Sequence, residues 1–216
     1  MKVCTDSCIF GASVYEPESQ KILDIGTGTG LLALMVAQRN PGTIDAIEID
    51  SDAAQEARNN VSESPWSERI HIYNVPVQEF GGQPGTYDLI LTNPPFFTGQ
   101  LQANSVKKNT ALHSLQLAPE ELASAVSRLL AADGKFYIML PPAESAKFEV
   151  LLEQESIYPY KRLLVKENAQ KNTIREITAF SRKKQKISLT DLPIRYLDRR
   201  YTPQFQQLLQ EYYTIF

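Results

Sequence analysis

The chain has 216 residues, a hydrophobic fraction of 43% and a formal net charge of −3. This length suits one domain, and the negative charge disfavours indiscriminate binding of nucleic acid. No apolar run in the sequence is long enough to cross a membrane, and the first residues lack the apolar core of a signal peptide. Cys4 and Cys8 are too few for a disulfide framework and lack the partners of a zinc site. We therefore expect a cytoplasmic protein without a membrane anchor, a metal or a disulfide.

Strands and helices alternate along most of the sequence. Residues 1–20 carry only turn or cap signals, Thr5-Asp6 and Gly11. Apolar, β-branched runs predict strands at 21–25, 43–49, 69–75, 87–92, 135–140, 160–166, 175–181 and 187–189. Helices are predicted at 31–38, 51–60, from 119 to the Asp133-Gly134 stop, 143–156 and 202–213. The alternation predicts an α/β fold with a parallel sheet covered on both faces, with an antiparallel pair formed by the strands at 160–166 and 175–181.

A glycine-rich segment, Gly26-Thr27-Gly28-Thr29-Gly30, links the first strand to the first helix. Glycines let a ligand approach the backbone, and a helix N-terminus offers free N–H groups, so this segment predicts a cofactor site. Its spacing differs from the Gly-x-Gly-x-x-Gly of dinucleotide folds. Asp24 before the loop suits a cationic group, such as the amino group of a methionine moiety. Glu48 ends the next strand, where a carboxylate can accept hydrogen bonds from both hydroxyls of a ribose. Of Glu48 and Asp50, one is expected to bind the ribose and the other to begin the next helix, and we assign the ribose to Glu48. These features favour S-adenosylmethionine over NAD.

A rigid turn, Asn93-Pro94-Pro95-Phe96-Phe97, follows the fourth strand. Two consecutive prolines end the strand abruptly, and loops at the carboxyl ends of parallel strands carry the chemistry of α/β proteins. The Asn93 side-chain oxygen and the Pro94 carbonyl can accept hydrogen bonds from the two hydrogens of a planar amine. This would draw the nitrogen toward tetrahedral geometry and free its lone pair, with little reorganisation. Phe96 would stack on the planar ring that carries the amine. No side chain is required to act as a general base.

The glycine loop, Glu48-Ile49-Asp50 and Asn93-Pro94-Pro95-Phe96 together resemble class I methyltransferases that modify exocyclic amino groups. More closely, the chain resembles the family of bacterial tRNA1(Val) adenine-37 N6-methyltransferases over nearly its whole length. The further stretches that carry this resemblance are 1–6, 21–34, Asn60 with Ser64-Pro65-Trp66, 87–97, Tyr201-Thr202 and Tyr212-Tyr213. The chain departs from the family pattern at Pro76, where relatives generally carry Asp, and at Leu112, where they carry Arg.

The resemblance implies a three-layer Rossmann-like class I methyltransferase sheet of seven strands, mostly parallel with an antiparallel pair at its C-terminal end. We expect one domain over 1–216, with 1–20 on the cofactor side, 97–118 as a substrate lid and 187–216 as an appendage. We also expect a monomer. The expected cofactor is S-adenosyl-L-methionine. The expected cofactor-binding residues are Thr5, Asp6, Asp24, Gly26, Thr27, Gly28, Gly30, Glu48, Ile49 and Val77, and the expected catalytic residues are Asn93, Pro94, Pro95 and Phe96.

Basic residues are concentrated in the C-terminal part of the chain. Residues 161–200 contain twelve Lys/Arg and four Asp/Glu, which indicates an anionic partner, tRNA. The expected RNA-contacting residues are Phe97, Lys107, Lys108, His113, Lys161, Arg182, Lys183 and Lys184. The predicted reaction is methyl transfer to N6 of adenine in tRNA. Other amines (guanine N2 of rRNA, DNA adenine or a protein glutamine) and an NAD-binding oxidoreductase remain alternatives.

Overall fold

One β-sheet organises the computed structural model, which describes residues 4–94 and 117–214. Its strands are β1 (Lys21–Ile25), β2 (Thr43–Ile47), β3 (Ile70–Tyr73), β4 (Tyr87–Thr92), β5 (Leu130–Leu140), β6 (Tyr158–Lys166), β7 (Thr173–Ser181) and β8 (Ser188–Pro193). The helices are α1 (Thr5–Ser13), α2 (Leu31–Ala37), α3 (Ser51–Ser62), α4 (Pro119–Leu129), α5 (Pro142–Gln154) and α6 (Pro203–Leu209), with a 3₁₀ turn at Ser67–Arg69.

The sheet is mostly parallel, as the sequence predicts. Its strand order is β3-β2-β1-β4-β5-β7-β6-β8, and β7 runs antiparallel to both of its neighbours. Because β8 pairs parallel with β6, the described sheet has eight strands rather than the expected seven. All strands except β7 point the same way, so their carboxyl ends lie at one edge of the sheet, which we call the carboxyl edge.

Helices cover both faces of the sheet and create two cores. The first core contains buried residues of α1, α2 and α6, including Phe10, Met35 and Phe205. The second contains buried residues of α4 and α5, including Leu122 and Phe148. This arrangement confirms the three-layer Rossmann-like α/β fold. In the described part of the chain, no helix has the length and apolar character needed to span a membrane, and no His, Cys, Asp and Glu side chains cluster as metal ligands.

Two local predictions were wrong. Residues 5–13 form helix α1, which was not predicted, and Gly11 is not a turn or cap but lies buried inside this helix, where α1 packs on α2. A Cβ at Gly11 would lie 2.6 Å from Met35 Sδ, so a larger residue would force the Met35 side chain to move. Strand β5 begins directly after α4, so Asp133-Gly134 lies in an irregular stretch of strand and not at the end of a helix. The Tyr87 carbonyl oxygen would be 2.8 Å from a Cβ at Gly134.

Candidate cofactor and amine site

The carboxyl ends of β1, β2 and β4 meet at the centre of the sheet. β1 pairs with β2 on one side and with β4 on the other, with Ile25 opposite both Ile47 and Thr92. The chain order reverses here, and such a switch point leaves a crevice at the carboxyl edge of an open sheet. The glycine loop, Glu48 and Asn93 directly follow these three strand ends, so the fold brings the predicted cofactor and amine groups together.

The glycine loop folds back over the end of β2. The Gly26 and Thr27 N–H groups both donate to the Ile47 carbonyl oxygen at 2.9 Å. The Gly28 N–H donates to Glu48 Oε2 at 2.8 Å. Positive φ angles of 71°, 58° and 83° at Gly26, Gly28 and Gly30 are favourable only for glycine, which explains the Gly-x-Gly-x-Gly spacing.

Asp24 is fully buried at the base of this loop. Thr27 Oγ1 donates to Asp24 Oδ2 at 2.6 Å, whereas Asp24 Oδ1 accepts no hydrogen bond of normal geometry from the described residues. Burial raises the pKa of Asp24 to about 7, and the Thr27 hydroxyl and the Ala33 N–H only partly oppose this increase. A buried carboxylate oxygen without a donor is costly, so this atom is a fitting partner for a cationic ligand group.

Glu48 lies at the carboxyl end of β2, where its carboxylate is tied to the backbone. Oε1 accepts from the Asp50 N–H at 2.9 Å, in addition to the Gly28 contact at Oε2. Each oxygen keeps a second lone pair, so the carboxylate is oriented and still able to accept from hydroxyls. Asp50 instead caps α3 by accepting from the Asp52 and Ala53 N–H groups. Ile49 is 42% exposed beside this carboxylate and offers an apolar surface.

Val77, expected at the cofactor adenine, has its side chain in the second core. Its carbonyl oxygen accepts from Arg128 Nη2 at 3.3 Å. An adenine contact through the Val77 side chain is therefore disfavoured by its burial, whereas the neighbouring Gln78 is exposed.

Helix α1 holds the amide of Asn93. Asn93 Nδ2 donates to Ser7 Oγ at 3.2 Å, and no described residue donates to Asn93 Oδ1. The Ser7 contact thus orients the amide, and among the described residues nothing occupies its acceptor oxygen. Asp6, expected at the cofactor, forms an ion pair with Arg175 at 3.0 Å, and Thr5 begins the same helix. Ser7 was missed by the sequence reasoning, because its partner lies 86 residues away and no local pattern marks it.

The expected RNA-contacting residues do not all lie near this site. Arg182, Lys183 and Lys184 follow the carboxyl end of β7, which lies at the edge opposite Asn93 because β7 is antiparallel. Arg182 donates to the Ser127 carbonyl oxygen at 2.6 Å. Lys183 pairs with Asp133, Lys184 lies over the Tyr158 ring, and Lys161 is in the amino-terminal half of β6. Part of the expected site lies outside the described residues, namely residues 97–116 of the expected lid at 97–118 and the residues Pro95, Phe96, Phe97, Lys107, Lys108 and His113.

A sheet of this order, with a glycine loop after β1 and an Asn-Pro turn after β4, defines a class I methyltransferase. A family model of the methyltransferase small domain matches residues 7–141. The tRNA1(Val) (adenine(37)-N6)-methyltransferase of Cytophaga hutchinsonii is 39% identical over 99% of this chain and 91% of the relative. The protein of the same name from Pectobacterium carotovorum is 38% identical over 99% and 87%. The chain belongs to the family of tRNA1(Val) (adenine(37)-N6)-methyltransferases.

Solved structures support the fold. A predicted O-methyltransferase from Agrobacterium tumefaciens matches 95% of this chain and 96% of its own with a TM-score of 0.76 at 16% identity. The geranyl diphosphate C-methyltransferase of Streptomyces coelicolor A3(2), a complex that includes S-adenosyl-L-homocysteine, matches 80% and 74% with a TM-score of 0.57 at 11% identity. These two structures support the fold alone. The family membership shown by the relatives makes the protein an S-adenosyl-L-methionine-dependent N-methyltransferase, and the NAD-binding alternative is not supported.

Proposed function

We propose that this protein methylates N6 of adenine in tRNA, with adenine 37 of tRNA1(Val) as the target. The observation that carries the proposal is the Asn93 amide, whose Nδ2 is held by Ser7 while Oδ1 accepts from no described residue. An N6 amine has two hydrogens and a lone pair delocalised into its ring. An oriented pair of acceptors at the end of β4 suits this group, and the names of the relatives indicate the same amine.

On the cofactor side, we assign three roles to the buried and oriented groups around the glycine loop. Asp24 binds the α-amino group through Oδ1, which accepts no hydrogen bond of normal geometry from the described residues. Glu48 accepts hydrogen bonds from the ribose hydroxyls, and Ile49 packs against the adenine ring. Gly26, Thr27, Gly28 and Gly30 bring the backbone close to the ligand, and α2 begins at this point. When bound, S-adenosylmethionine supplies an electrophilic methyl group to this edge of the sheet.

On the amine side, Asn93 Oδ1 and the Pro94 carbonyl oxygen accept from the two N6 hydrogens and draw the nitrogen toward tetrahedral geometry. Pro94 is buried, and neither oxygen accepts a hydrogen bond from a described residue. Both acceptors are preorganised, so the transition state is stabilised without rearrangement of the site. The nitrogen that gains the methyl group becomes cationic and acidic, so it loses a proton to water and needs no general base.

Several sequence-based assignments remain proposals. Pro95 would stiffen the turn, and Phe96 would stack on the target base after it leaves the anticodon loop. We also propose that residues 1–216 act as one domain, that the protein functions in the cytoplasm as a monomer, and that Thr5 and Asp6 shape the cofactor side.

In the decisive experiment, the protein and labelled S-adenosylmethionine are incubated with each of four acceptors: tRNA, rRNA, DNA and release factor. The acceptors are prepared from a strain lacking the gene. We expect label only in tRNA, at N6 of adenine 37 in tRNA1(Val), and none in tRNA from the parent strain, where that position is already methylated. Label in DNA, rRNA or protein but not in tRNA would refute the proposal.

An Asn93→Ala variant tests the role of the amide. We expect kcat to fall by about 10²–10³-fold, the loss typical of one preorganised transition-state contact, with the Kd for S-adenosylmethionine unchanged. Asn59→Ala, which removes an exposed amide from α3, is the matched control and should keep full activity. If Asn93→Ala abolishes cofactor binding instead, Asn93 is a cofactor ligand and the assignment of the amine site is wrong.

A further inference from the structure

The topology of the sheet divides the basic C-terminal part of the chain into two ends. Arg182, Lys183, Lys184 and Lys186 form the far-end cluster, which follows β7 at the edge opposite Asn93. The turn at 167–172 and the hairpin at 194–201 instead follow β6 and β8 at the carboxyl edge. We call these two segments, together with the adjoining residues of β6 and β7, the carboxyl-edge surface. Residues 166–175 and 194–201 contain six Lys/Arg and two Asp/Glu.

The hairpin at 194–201 is firmly attached to the sheet. Its first residues extend the pairing of β8 with β6, because the Ile194 N–H donates to the Lys166 carbonyl oxygen at 2.9 Å. The Tyr196 N–H donates to the Arg200 carbonyl oxygen at 2.8 Å and closes the turn. The Arg195 guanidinium lies 4.0 Å from the centroid of the Tyr201 ring and donates to the Arg199 carbonyl oxygen at 2.6 Å. The tip of the hairpin is therefore preorganised.

This rigid tip presents an aromatic ring and a cation to solvent. Tyr196 is 49% exposed and Leu197 is 68% exposed. Arg199 and Lys171 are exposed, and neither side chain has an acidic partner among the described residues. Arg199 also has a φ of 69°, a conformation in which asparagine or glycine would fit more easily than arginine. Three of the other four cations of the surface have acidic partners: Lys166 pairs with Asp191, Arg175 with Asp6 and Arg200 with Asp198. The fourth, Arg195, lies over the Tyr201 ring.

We infer that the carboxyl-edge surface, and not the far-end cluster, is the docking surface for the RNA stem-loop whose target base enters the site at Asn93. In this assignment, Tyr196 stacks on an unpaired nucleobase, and Lys171 and Arg199 contact phosphates. Exposed rings combined with unpaired cations bind RNA by stacking and charge attraction. The inference rests on the proposed function, because it takes RNA as the carrier of the amine.

Distances support the choice between the two ends. Four strand spacings separate β4 from β8, which at about 4.8 Å each is roughly 19 Å. At about 3.4 Å per nucleotide of one strand, this span corresponds to roughly five or six nucleotides, well within one stem-loop. The far-end cluster follows β7, which is only two strand spacings, or roughly 10 Å, from β4, but it lies at the opposite edge of the sheet. The two edges are roughly 26 Å apart, because the eight steps from Tyr158 to Lys166 cover about 3.3 Å each, so the cluster is roughly 28 Å from Asn93. A stem-loop with its base at Asn93 reaches the carboxyl-edge surface more directly.

The test compares two double variants of the full chain that change the charge equally. Lys171→Glu with Arg199→Asn alters the carboxyl-edge surface, and asparagine tolerates the positive φ at position 199. Lys186→Glu with Lys184→Asn alters the far-end cluster. The probe is unmethylated tRNA1(Val) transcript, with Kd measured at several KCl concentrations. Methyl transfer at saturating tRNA and the Kd for S-adenosylmethionine are measured on the same samples.

We expect the carboxyl-edge double variant to raise the Kd for tRNA by at least about tenfold and to reduce the slope of log Kd against log salt by about two, one for each lost phosphate contact. Tyr196→Leu should raise the Kd by about tenfold without changing the slope, because stacking is lost and charge is kept. The far-end variant should bind within about twofold of wild type. In all three, kcat and cofactor affinity should stay at wild-type values.

Three results would overturn the inference: wild-type tRNA affinity in the carboxyl-edge variants, an equal or larger loss in the far-end variant, or a dimer that Tyr196→Leu dissociates while RNA affinity is unchanged. The last result would assign the surface to a second copy of the chain. Failure of the proposed function is distinguishable, since wild-type protein would then transfer no methyl group to unmethylated tRNA.

Discussion

Replacement of Asp24 by asparagine should stabilise the free protein and weaken its binding of S-adenosylmethionine. Asp24 is fully buried, and its pKa is raised from 3.8 to about 7, mainly by loss of solvation. Between these two pH values, the folded protein binds a proton that the unfolded chain has released. Proton binding by Asp24 therefore stabilises the folded state fully below pH 3.8, and this stabilisation is lost as the pH rises to about 7.

The size of this effect follows from the two pKa values. The rise from 3.8 to about 7 corresponds to about 4 kcal/mol, since each tenfold change in the ionisation constant is worth about 1.4 kcal/mol. Asparagine is neutral at every pH and can still accept from the Thr27 hydroxyl, which donates to Asp24 at 2.6 Å. At pH 8, Asp24→Asn should thus raise the free energy of unfolding by up to about 4 kcal/mol, with the gain falling toward zero at pH 4.

The assay is urea unfolding of wild type and Asp24→Asn at several pH values without ligand, together with calorimetric titration of S-adenosylmethionine. The difference between the two proteins isolates Asp24 from all other titrating groups. We expect the variant to lose at least about 1.4 kcal/mol of binding free energy, or tenfold in Kd, because it no longer presents a charge to the α-amino group. A stability difference that does not grow from pH 4 to pH 8, or unchanged cofactor affinity, would refute this reasoning.

Three further features of the structure lead to predictions, each with a matched control. Ser7→Ala should free the amide at the end of β4 and lower kcat by about tenfold with an unchanged Kd for S-adenosylmethionine, whereas Ser7→Thr should retain activity; a change confined to cofactor affinity would contradict this positioning role. Gly26→Ala should lower the free energy of unfolding in urea by about 1–2 kcal/mol, and Gly81→Ala should lower it much less. A Cβ would have no neighbour at either position, and of the two only Gly26 has a positive φ. Equal losses of stability would contradict the argument. Arg39→Ala should lower the free energy of unfolding by about 2–4 kcal/mol, because the Arg39 guanidinium donates to three carbonyl oxygens at the end of α1. Arg58 is exposed, so Arg58→Ala should lower it by less than about 0.5 kcal/mol.

Sequence patterns predicted the central strands well. The bounds of β1 and β4 agree with the structure because each is an apolar run ended by glycine or by Asn-Pro. Helix α1 was missed because Ile9, Phe10 and Ala12 are all buried, so the segment lacks the one-sided apolar stripe of a surface helix. The basic run at 161–200 was assigned to one RNA-contacting surface, although the antiparallel pair predicted at 160–166 and 175–181 places the two ends of that run at opposite edges of the sheet.

The two halves of the site differ in how far their determining contacts extend along the chain. On the cofactor side, Asp24 meets Thr27 three residues away and Gly28 meets Glu48 twenty residues away, so one strand-loop-helix-strand unit fixes the geometry. On the amine side, Ser7 holds an amide 86 residues away. The same first turn of α1 pairs through Asp6 with Arg175 at the start of β7, so α1 connects the amine site to the strand that adjoins the carboxyl-edge surface. The cofactor side of such a site can therefore be predicted from a local motif, whereas the amine side depends on tertiary contacts and on strand direction.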